Sequence, residues 1–247
     1  MFSIFSSRHP LLQLEKQRQD LLQTISLQNT SELPVYITRL LRSTYPSPKH
    51  DATDLPITVI DFETSGLDLT TDHIVSIGWV HIIQGVIKLS TAQHWVIQEP
   101  IEKKNNNLEE PTARSLHHIL PEDQQHGIPL QQAMQYFFES LPSPVVLAHG
   151  ATIEKRFIEQ FCLDQGLQRL PLIWLDTLKI EQNTSNKSGY QKDFRLFALR
   201  QHYQLPEYPA HHALMDATAT AELFLAQKQR LFNQDIAPIG VLYQKSL

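Results

Sequence analysis

The sequence is short of the residues that cross-link, span or interrupt a chain. Its single cysteine cannot form an internal disulfide, which excludes the disulfide-rich scaffolds of small secreted proteins. Only 8 glycines occur in 247 residues, so collagen-like and glycine-rich disordered classes are excluded as well. No apolar run is long enough to cross a bilayer, and the first residues lack a basic region followed by an apolar one. We therefore expect a globular, cytoplasmic protein without a membrane segment.

Positive charge is also scarce. Lys and Arg number 21 against 26 Asp and Glu, a net charge of -5, and the acidic surplus lies after residue 56. Coating a long duplex requires an extended basic surface that releases counterions, so the composition argues against that class of nucleic-acid binder. A short nucleic-acid substrate held by metal ions and a local basic patch is compatible with this charge.

The first fifty residues have a helical pattern. Leucines and isoleucines recur at near-helical spacing over 11–28 and again over 33–43, which predicts two helices. The proline-containing polar stretch 45–56 then predicts a linker. We divide the chain into an N-terminal helical extension with its linker, residues 1–50, and a main domain, residues 51–247. The extension is either a helical cap packed on the main domain or an arm that docks a partner.

From residue 57 the pattern changes to strands. Three β-rich runs, 57–63, 73–83 and 85–98, are separated by turns short enough for an antiparallel meander. They are followed by a helix near 129–141, a strand at 144–149, a helix from about 151 to 165, a strand at 172–176 and two further helices. This order predicts an α/β domain in which a mixed β-sheet is flanked by helices.

Two acids stand at the end of the first strand. Asp61 and Glu63 are two residues apart, so in a strand both side chains project from the same face. Two carboxylates at such a short distance repel one another, and a bound hard divalent cation offsets this repulsion. Two acids on a solvent-facing edge are the alternative, although the apolar residues Ile57, Val59 and Ile60 favour a central strand.

A second candidate lies near the other end of the chain, at 208–227. Its apolar residues form a helical stripe, and Asp216 lies near the helix start, where the macrodipole favours an acid. Helix capping therefore explains Asp216 on its own. His211 precedes the helix in a loop, and a histidine in such a place is more often structural or exposed than catalytic.

Three segments together resemble the ordered motifs of the DEDD, or DnaQ-like, 3′-to-5′ exonucleases: DFETSGL at 61–67, AHGATIEKRF at 148–157 and HHALMDATATAELFL at 211–225. The spacing of His211 and Asp216 resembles that of the histidine-containing DEDDh branch. Segments 113–119 and 174–180 are also similar to the family. The likeness covers about 57–228, and three motifs in order are specific where one alone would be weak.

The resemblance implies a ribonuclease-H-like fold with two Mg²⁺ or Mn²⁺ ions about 4 Å apart. Asp61 would bridge both ions, while Glu63 and Asp216 would complete the shell of the first and Glu154 would hold the second. His211 would take a proton from the attacking water, a role that suits a group whose pKa lies near neutrality.

The second motif departs from the family. An asparagine is usual where Gly150 stands, and an aspartate where Glu154 stands, so the acid here is longer by one methylene. Asp176 is the competing candidate for the fourth carboxylate, and a weakened or inactive site is the third interpretation.

The resemblance also indicates residues that contact the substrate. Thr64 and Leu67 match positions that hold the 3′-terminal sugar and wedge against the last base, and His149 of the second motif is a further substrate-binding candidate.

Residues 182–200 form a basic segment within the acidic domain, with Lys187, Lys192, Arg195 and Arg200 opposed by Asp193. Lys192 and Arg195 would contact backbone phosphates of the substrate, and Tyr190 or Phe194 would stack on a base. Alternatively the segment is a solvated loop followed by an amphipathic helix that uses the apolar residues Phe194, Phe197 and Leu199 as core.

The leading functional hypothesis is a metal-dependent 3′-to-5′ exonuclease that acts on single-stranded 3′ ends, with DNA slightly favoured over RNA, and releases nucleoside 5′-monophosphates. The alternatives are a short-RNA or RNA-trimming exonuclease and a nucleic-acid-binding module that has lost turnover. A replication or repair partner would dock on the N-terminal helices, no membrane is involved, and the protein is a monomer or a homodimer.

Overall fold

A computed structural model describes residues 9–28, 33–98, 119–184, 193–209 and 211–247. Five strands form one sheet in the order β3-β2-β1-β4-β5: β1 Ile57–Thr64, β2 Ile74–Ile83, β3 Val86–Val96, β4 Val145–Ala148 and β5 Ile173–Asp176. The pairs β1–β2 and β2–β3 are antiparallel, whereas β1–β4 and β4–β5 are parallel. The expected meander and mixed sheet are thus confirmed. Because β1, β4 and β5 run in the same direction, their carboxyl ends share one edge of the sheet.

Nine helices are found within the described ranges. They are α1 Pro10–Gln28, α2 Val35–Arg42, α3 Pro121–Gln125, α4 Leu130–Ser140, α5 Thr152–Asp164, α6 Thr177–Gln182, α7 Leu196–His202, α8 Ala213–Phe232 and α9 Ile239–Lys245. Two apolar cores lie on the two faces of the sheet, one including α4 and α5 and the other including α8 and α9. None of the helices in these ranges is long and apolar enough to cross a membrane.

The N-terminal helices pack on the sheet domain. From α2, the side chains of Ile37 and Leu41 lie in the same core as α4 and α5, while Leu11 of α1 lies in the other core. The guanidinium of Arg18 donates to the carbonyl of Leu41 at 2.6 Å and stacks over the Tyr45 ring. This packing is that of a helical cap, and docking of a partner remains a prediction.

The end of the chain contains more helices than its pattern predicts. Among the described residues after β5 there are four helices where two were predicted, and three of them, α6, α7 and α9, have only six or seven residues each. Helices of that length show too few turns for a periodic apolar pattern. The structure thus corrects the number of helices while confirming the α/β class.

Candidate active site

β1 delivers two acids to the shared edge of the sheet. Ile57 and Val59 are completely buried, and Asp61 and Glu63 follow them on the same face. Both acids are half-buried, so this face changes from core to site at Asp61. The pairing with β2 shifts after Glu63, where β1 ends.

A glycine in β2 allows α8 to reach this edge. Gly78 pairs with Asp61 across the ladder, and a Cβ built on it would lie 2.2 Å from the backbone nitrogen of Leu214. A side chain there would push the helix start away from the sheet. Asp216 lies in the first turn of that helix, so Gly78 controls the distance between Asp216 and the β1 acids.

Asp61, Glu63 and Asp216 come together as a cluster in which one carboxylate oxygen of each lies within 4.8 Å of the others. Burial and the charges of Glu154, Asp216 and Glu63 raise the pKa of Asp61 well above its ordinary value. Burial and the charge of Asp216 raise the pKa of Glu63 to about 7. Burial also raises the pKa of Asp216, against the effect of nearby backbone N–H groups. Protons or a cation must therefore offset the mutual repulsion.

Glu154 faces the same cluster from the first turn of α5. Its side chain is 4% exposed, and Oε2 has no hydrogen-bond partner among the described residues. Burial raises its pKa to about 8, with the charges of Asp176 and Glu63 adding to the shift and the N–H groups of Glu154 and Phe62 opposing it. A buried carboxylate oxygen without a donor is a suitable ligand for a divalent cation. Among the charges that raise the pKa of Asp61, that of Glu154 is the largest.

Asp176 has a structural role. Its Oδ1 accepts from the backbone N–H groups of Gly150 and Leu178, both at 2.9 Å, and its Oδ2 accepts from Ala151 at 3.0 Å. The carboxylate thus caps the start of α6 and fixes the turn between β4 and α5, which leaves Glu154 as the candidate for the fourth acid. Gly150 has a φ of +75°, a conformation that glycine adopts without strain.

His211 lies beside Asp216 at the mouth of the site. It is exposed, its φ is +65°, and its backbone N–H donates to Asp216 Oδ2 at 2.8 Å. The next residue, His212, caps α8 with its ring and donates a second backbone N–H to the same oxygen at 3.3 Å. The predicted site residues are therefore brought together by three segments distant in sequence: Asp61 and Glu63 from β1, Glu154 from α5, and His211 and Asp216 from around the start of α8.

Two substrate-binding candidates follow the acids of β1. Thr64 is half-buried at the end of the strand, and Leu67 is 66% exposed in the next loop. Asp72 fixes that loop, because its Oδ2 accepts from the backbone N–H of Asp68 at 2.8 Å and its Oδ1 from the hydroxyl of Ser65 at 3.1 Å. An exposed apolar side chain on a fixed loop beside the acids is suitably placed to contact a terminal base.

His149 is held by protein groups on both ring nitrogens. Nε2 donates to the carbonyl of Phe194 at 2.9 Å, and Nδ1 lies 2.8 Å from the hydroxyl of Thr177. Because a carbonyl only accepts, Nε2 carries a hydrogen, and burial lowers the pKa of His149. His149 thereby supports the segment at Phe194, and direct contact with substrate stays a prediction.

The basic segment is only partly as predicted. Arg195 is exposed and its guanidinium binds Asp193 at 2.5 Å, while Lys192 lies outside the described residues. Arg200, the last basic residue of this segment, is buried and paired with Glu222 at 2.7 Å, so it does not add to an exposed basic surface. The prediction that Phe197 belongs to the core is wrong, since this residue is 53% exposed near the helix start. Leu199 is completely buried, as expected.

The sequence analysis did not identify two residues that lie beside the site, Gly78 and His94. Gly78 had a signal, a lone glycine inside a strand pattern, which indicates close approach of another backbone. His94 of β3 had none, yet its ring stacks on His212 with 4.3 Å between ring centroids.

Comparison with known proteins agrees with this geometry. The exonuclease family model, RNase T, matches residues 58–224. Curated relatives include DNA polymerase III PolC-type of Ureaplasma parvum, 30% identical over 71% of this chain and 12% of its own length. The 3′-5′ exonuclease DinG of Staphylococcus haemolyticus is 26% identical over 76% of this chain and 20% of its own. The chain therefore spans only about a tenth to a fifth of these relatives.

Solved structures share the fold. The nuclease domain of 3′hExo, a DEDDh family member bound to rAMP, has a TM-score of 0.59 at 15% identity, covering 76% of this chain and 97% of that one. Exonuclease X in complex with 5′ overhanging duplex DNA has a TM-score of 0.55 at 20% identity, covering 76% and 99%. Because the family model matches more than half of its length, the chain belongs to the exonuclease family.

Proposed function

We propose that this protein is a metal-dependent 3′-to-5′ exonuclease that hydrolyses phosphodiester bonds at single-stranded 3′ ends and releases nucleoside 5′-monophosphates. The observation that carries the proposal is the convergence of Asp61, Glu63 and Asp216 within 4.8 Å, with the buried, unpartnered oxygen of Glu154 beside them. A structural role does not account for Asp61, Glu63 and Glu154, because burial and neighbouring carboxylates raise their pKa values and no Lys or Arg of the described residues forms an ion pair with them.

Two Mg²⁺ or Mn²⁺ ions are the cofactors that this donor set fits. Carboxylate oxygens are the ligands that both ions prefer. Asp61, Glu63 and Asp216 would hold one ion, and Asp61 with Glu154 the other. The ions would stabilise the negative charge that develops on the phosphate and its two apical oxygens.

His211 would act as the general base for the attacking water. Histidine is the side chain that most often serves as a general base, because a ring nitrogen without a hydrogen accepts a proton. Its exposure allows the ring to approach a bound 3′ end. The two backbone N–H groups that bind Asp216 fix the main chain beside the acids.

The class of nucleic acid is supported less directly. Relatives named as polymerase III PolC-type and DinG favour DNA, which agrees with the slight preference from the sequence. The 3′hExo structure holds rAMP and another neighbour is a 3′-exonuclease that recognises histone mRNA, which favours the short-RNA or RNA-trimming alternative. A replication or repair partner on the N-terminal helices, a cytoplasmic location, and a monomer or homodimer stay predictions.

A labelled oligonucleotide tests the proposed activity. A single-stranded DNA with a 5′ label should give a ladder that shortens from the 3′ end with Mg²⁺ or Mn²⁺, and EDTA or Asp61→Ala should abolish it. Matched RNA run beside it measures the sugar preference. Binding without shortening under either metal would instead identify a nucleic-acid-binding module.

A further inference from the structure

Few contacts hold the His211 ring in place, although a general base must be positioned accurately. Its backbone is in the left-handed region, and its ring makes no hydrogen bond within the described ranges. Placing a reacting group even 1 Å from its productive position lowers a rate by about a hundredfold. The neighbouring residues must therefore hold the main chain that carries this ring.

Arg200 ties the segment that precedes His211 to α8. One guanidinium nitrogen donates to the carbonyl of Ala219 at 2.6 Å, and another donates to the carbonyl of Pro206 at 2.6 Å. The second nitrogen also donates to Glu222 Oε2 at 2.7 Å. Arg200 is 5% exposed, so water does not compete for these contacts.

Tyr208 closes the arrangement three residues before His211. Its hydroxyl donates to the other oxygen of Glu222, Oε1, at 2.8 Å. Its ring lies under the Arg200 guanidinium, 4.7 Å from ring centroid to the central carbon. We call Arg200, Glu222 and Tyr208 the loop clamp.

A second contact holds the chain on the other side of His211. The ring of His212 stacks on His94 of β3, with centroids 4.3 Å apart and planes at 29°. His94 is paired in the ladder with Gly78, directly beside the point where α8 meets the sheet. His94 Nε2 has no hydrogen-bond partner among the described residues, so the contact is one of ring packing.

We propose that the loop clamp and His94 are positioning elements for the exonuclease reaction, which act by holding Pro206, Tyr208 and His212 near His211 in the chain. The inference rests on the proposed role of His211 as general base. None of these side chains belongs to the cluster of acids, so they would act through the backbone beside His211 and not as metal ligands.

Tyr208 is the residue to substitute first, because breaking the buried pair of Arg200 and Glu222 would destabilise the fold. We expect Tyr208→Phe, which removes only the bond to Glu222, to lower kcat about threefold to tenfold, and Tyr208→Ala to lower it about tenfold to a hundredfold. KM and Mn²⁺ affinity should be unchanged. Tyr203→Phe is the matched control: it removes a tyrosine bond to Glu181 of 2.7 Å on the same segment and should leave kcat unchanged.

A double-mutant cycle separates positioning from a general loss of structure. In the His211→Ala background, Tyr208→Ala should cause no further loss of kcat, because no base is left to position. An equal fold-loss in both backgrounds, or wild-type kcat in Tyr208→Ala, overturns the clamp while leaving the proposed general base intact. Wild-type kcat in His211→Ala overturns the general base and the clamp together.

His94 is tested by keeping or removing its ring. We expect His94→Phe to retain kcat, since a benzene ring packs on His212 in the same way, and His94→Ala to lower it about tenfold at unchanged Mn²⁺ affinity. Equal damage from both substitutions would overturn the packing role of His94.

Discussion

Glu154→Gln should make the metal-free protein more stable while it damages the site. Glu154 is 4% exposed, and burial together with the charges of Asp176 and Glu63 raises its pKa from 4.5 to about 8. In the unfolded chain the carboxyl ionises near its ordinary value, so between pH 4.5 and pH 8 the folded protein holds a proton that the unfolded chain has lost. Folding is therefore linked to proton uptake, and this contribution to stability is lost as the pH rises through that interval.

The magnitude follows from the same interval. pH 7 lies about 2.5 units above the pKa of the carboxyl group in the unfolded chain, and over that interval only the folded state keeps the proton. At about 1.4 kcal/mol per unit, the free energy of unfolding at pH 7 is lower by about 3 kcal/mol. Relaxation of the neighbouring acids reduces it, so this figure is an upper value. Glutamine keeps the shape of the side chain without the charge. The substitution should therefore raise the free energy of unfolding by about 1–3 kcal/mol at pH 7 and by almost nothing at pH 4.5.

Urea unfolding in EDTA at several pH values between 4.5 and 8 measures this effect. The wild type should lose stability towards pH 8 more steeply than Glu154→Gln. Added Mn²⁺ should stabilise the wild type more than the variant, because a ligand that binds only the folded state stabilises it in proportion to its affinity. Identical pH slopes for the two proteins, or a variant that is less stable than the wild type at pH 7 in EDTA, would refute the reasoning. Glu154→Asp, which restores the acid usual in the family, should retain activity.

Three further substitutions test the supporting geometry. Gly78→Ala should lower turnover at least about tenfold, since its Cβ would lie 2.2 Å from the Leu214 backbone; wild-type kinetics would show that the helix start adapts. His211→Ala should lower turnover with Mn²⁺ affinity nearly intact, as followed by single-turnover kinetics and calorimetry; unchanged turnover would exclude a general base. Asp176→Ala should destabilise the fold by about 2–4 kcal/mol in urea unfolding, because its backbone donors lose their acceptor, including that of Gly150 at 2.9 Å; a loss of metal binding without a loss of stability would restore Asp176 as a ligand.

The local pattern was sufficient for much of the fold. Three β-rich runs separated by short turns predicted β1 to β3, and the apolar stripe after His211 predicted α8, because long elements give a long local signal. The short helices α6, α7 and α9 were underestimated since six or seven residues carry little periodicity. Arg200 and Phe197 were misjudged for a related reason: in a short helix, the face that is buried depends on what packs there.

The sequence by itself determined the acids and their order along the chain. Asp61 and Glu63 share a face because a strand has a period of two, and this holds wherever the strand lies. Only the tertiary structure decided which other acid joins them: the turn after β4 gives Asp176 to backbone N–H groups and leaves Glu154 facing Asp61. It also decided that Gly78 lies against α8, that His94 stacks on His212 and that Arg200 binds the carbonyl of Ala219. Such contacts between distant segments follow from packing of the whole sheet and not from any local pattern.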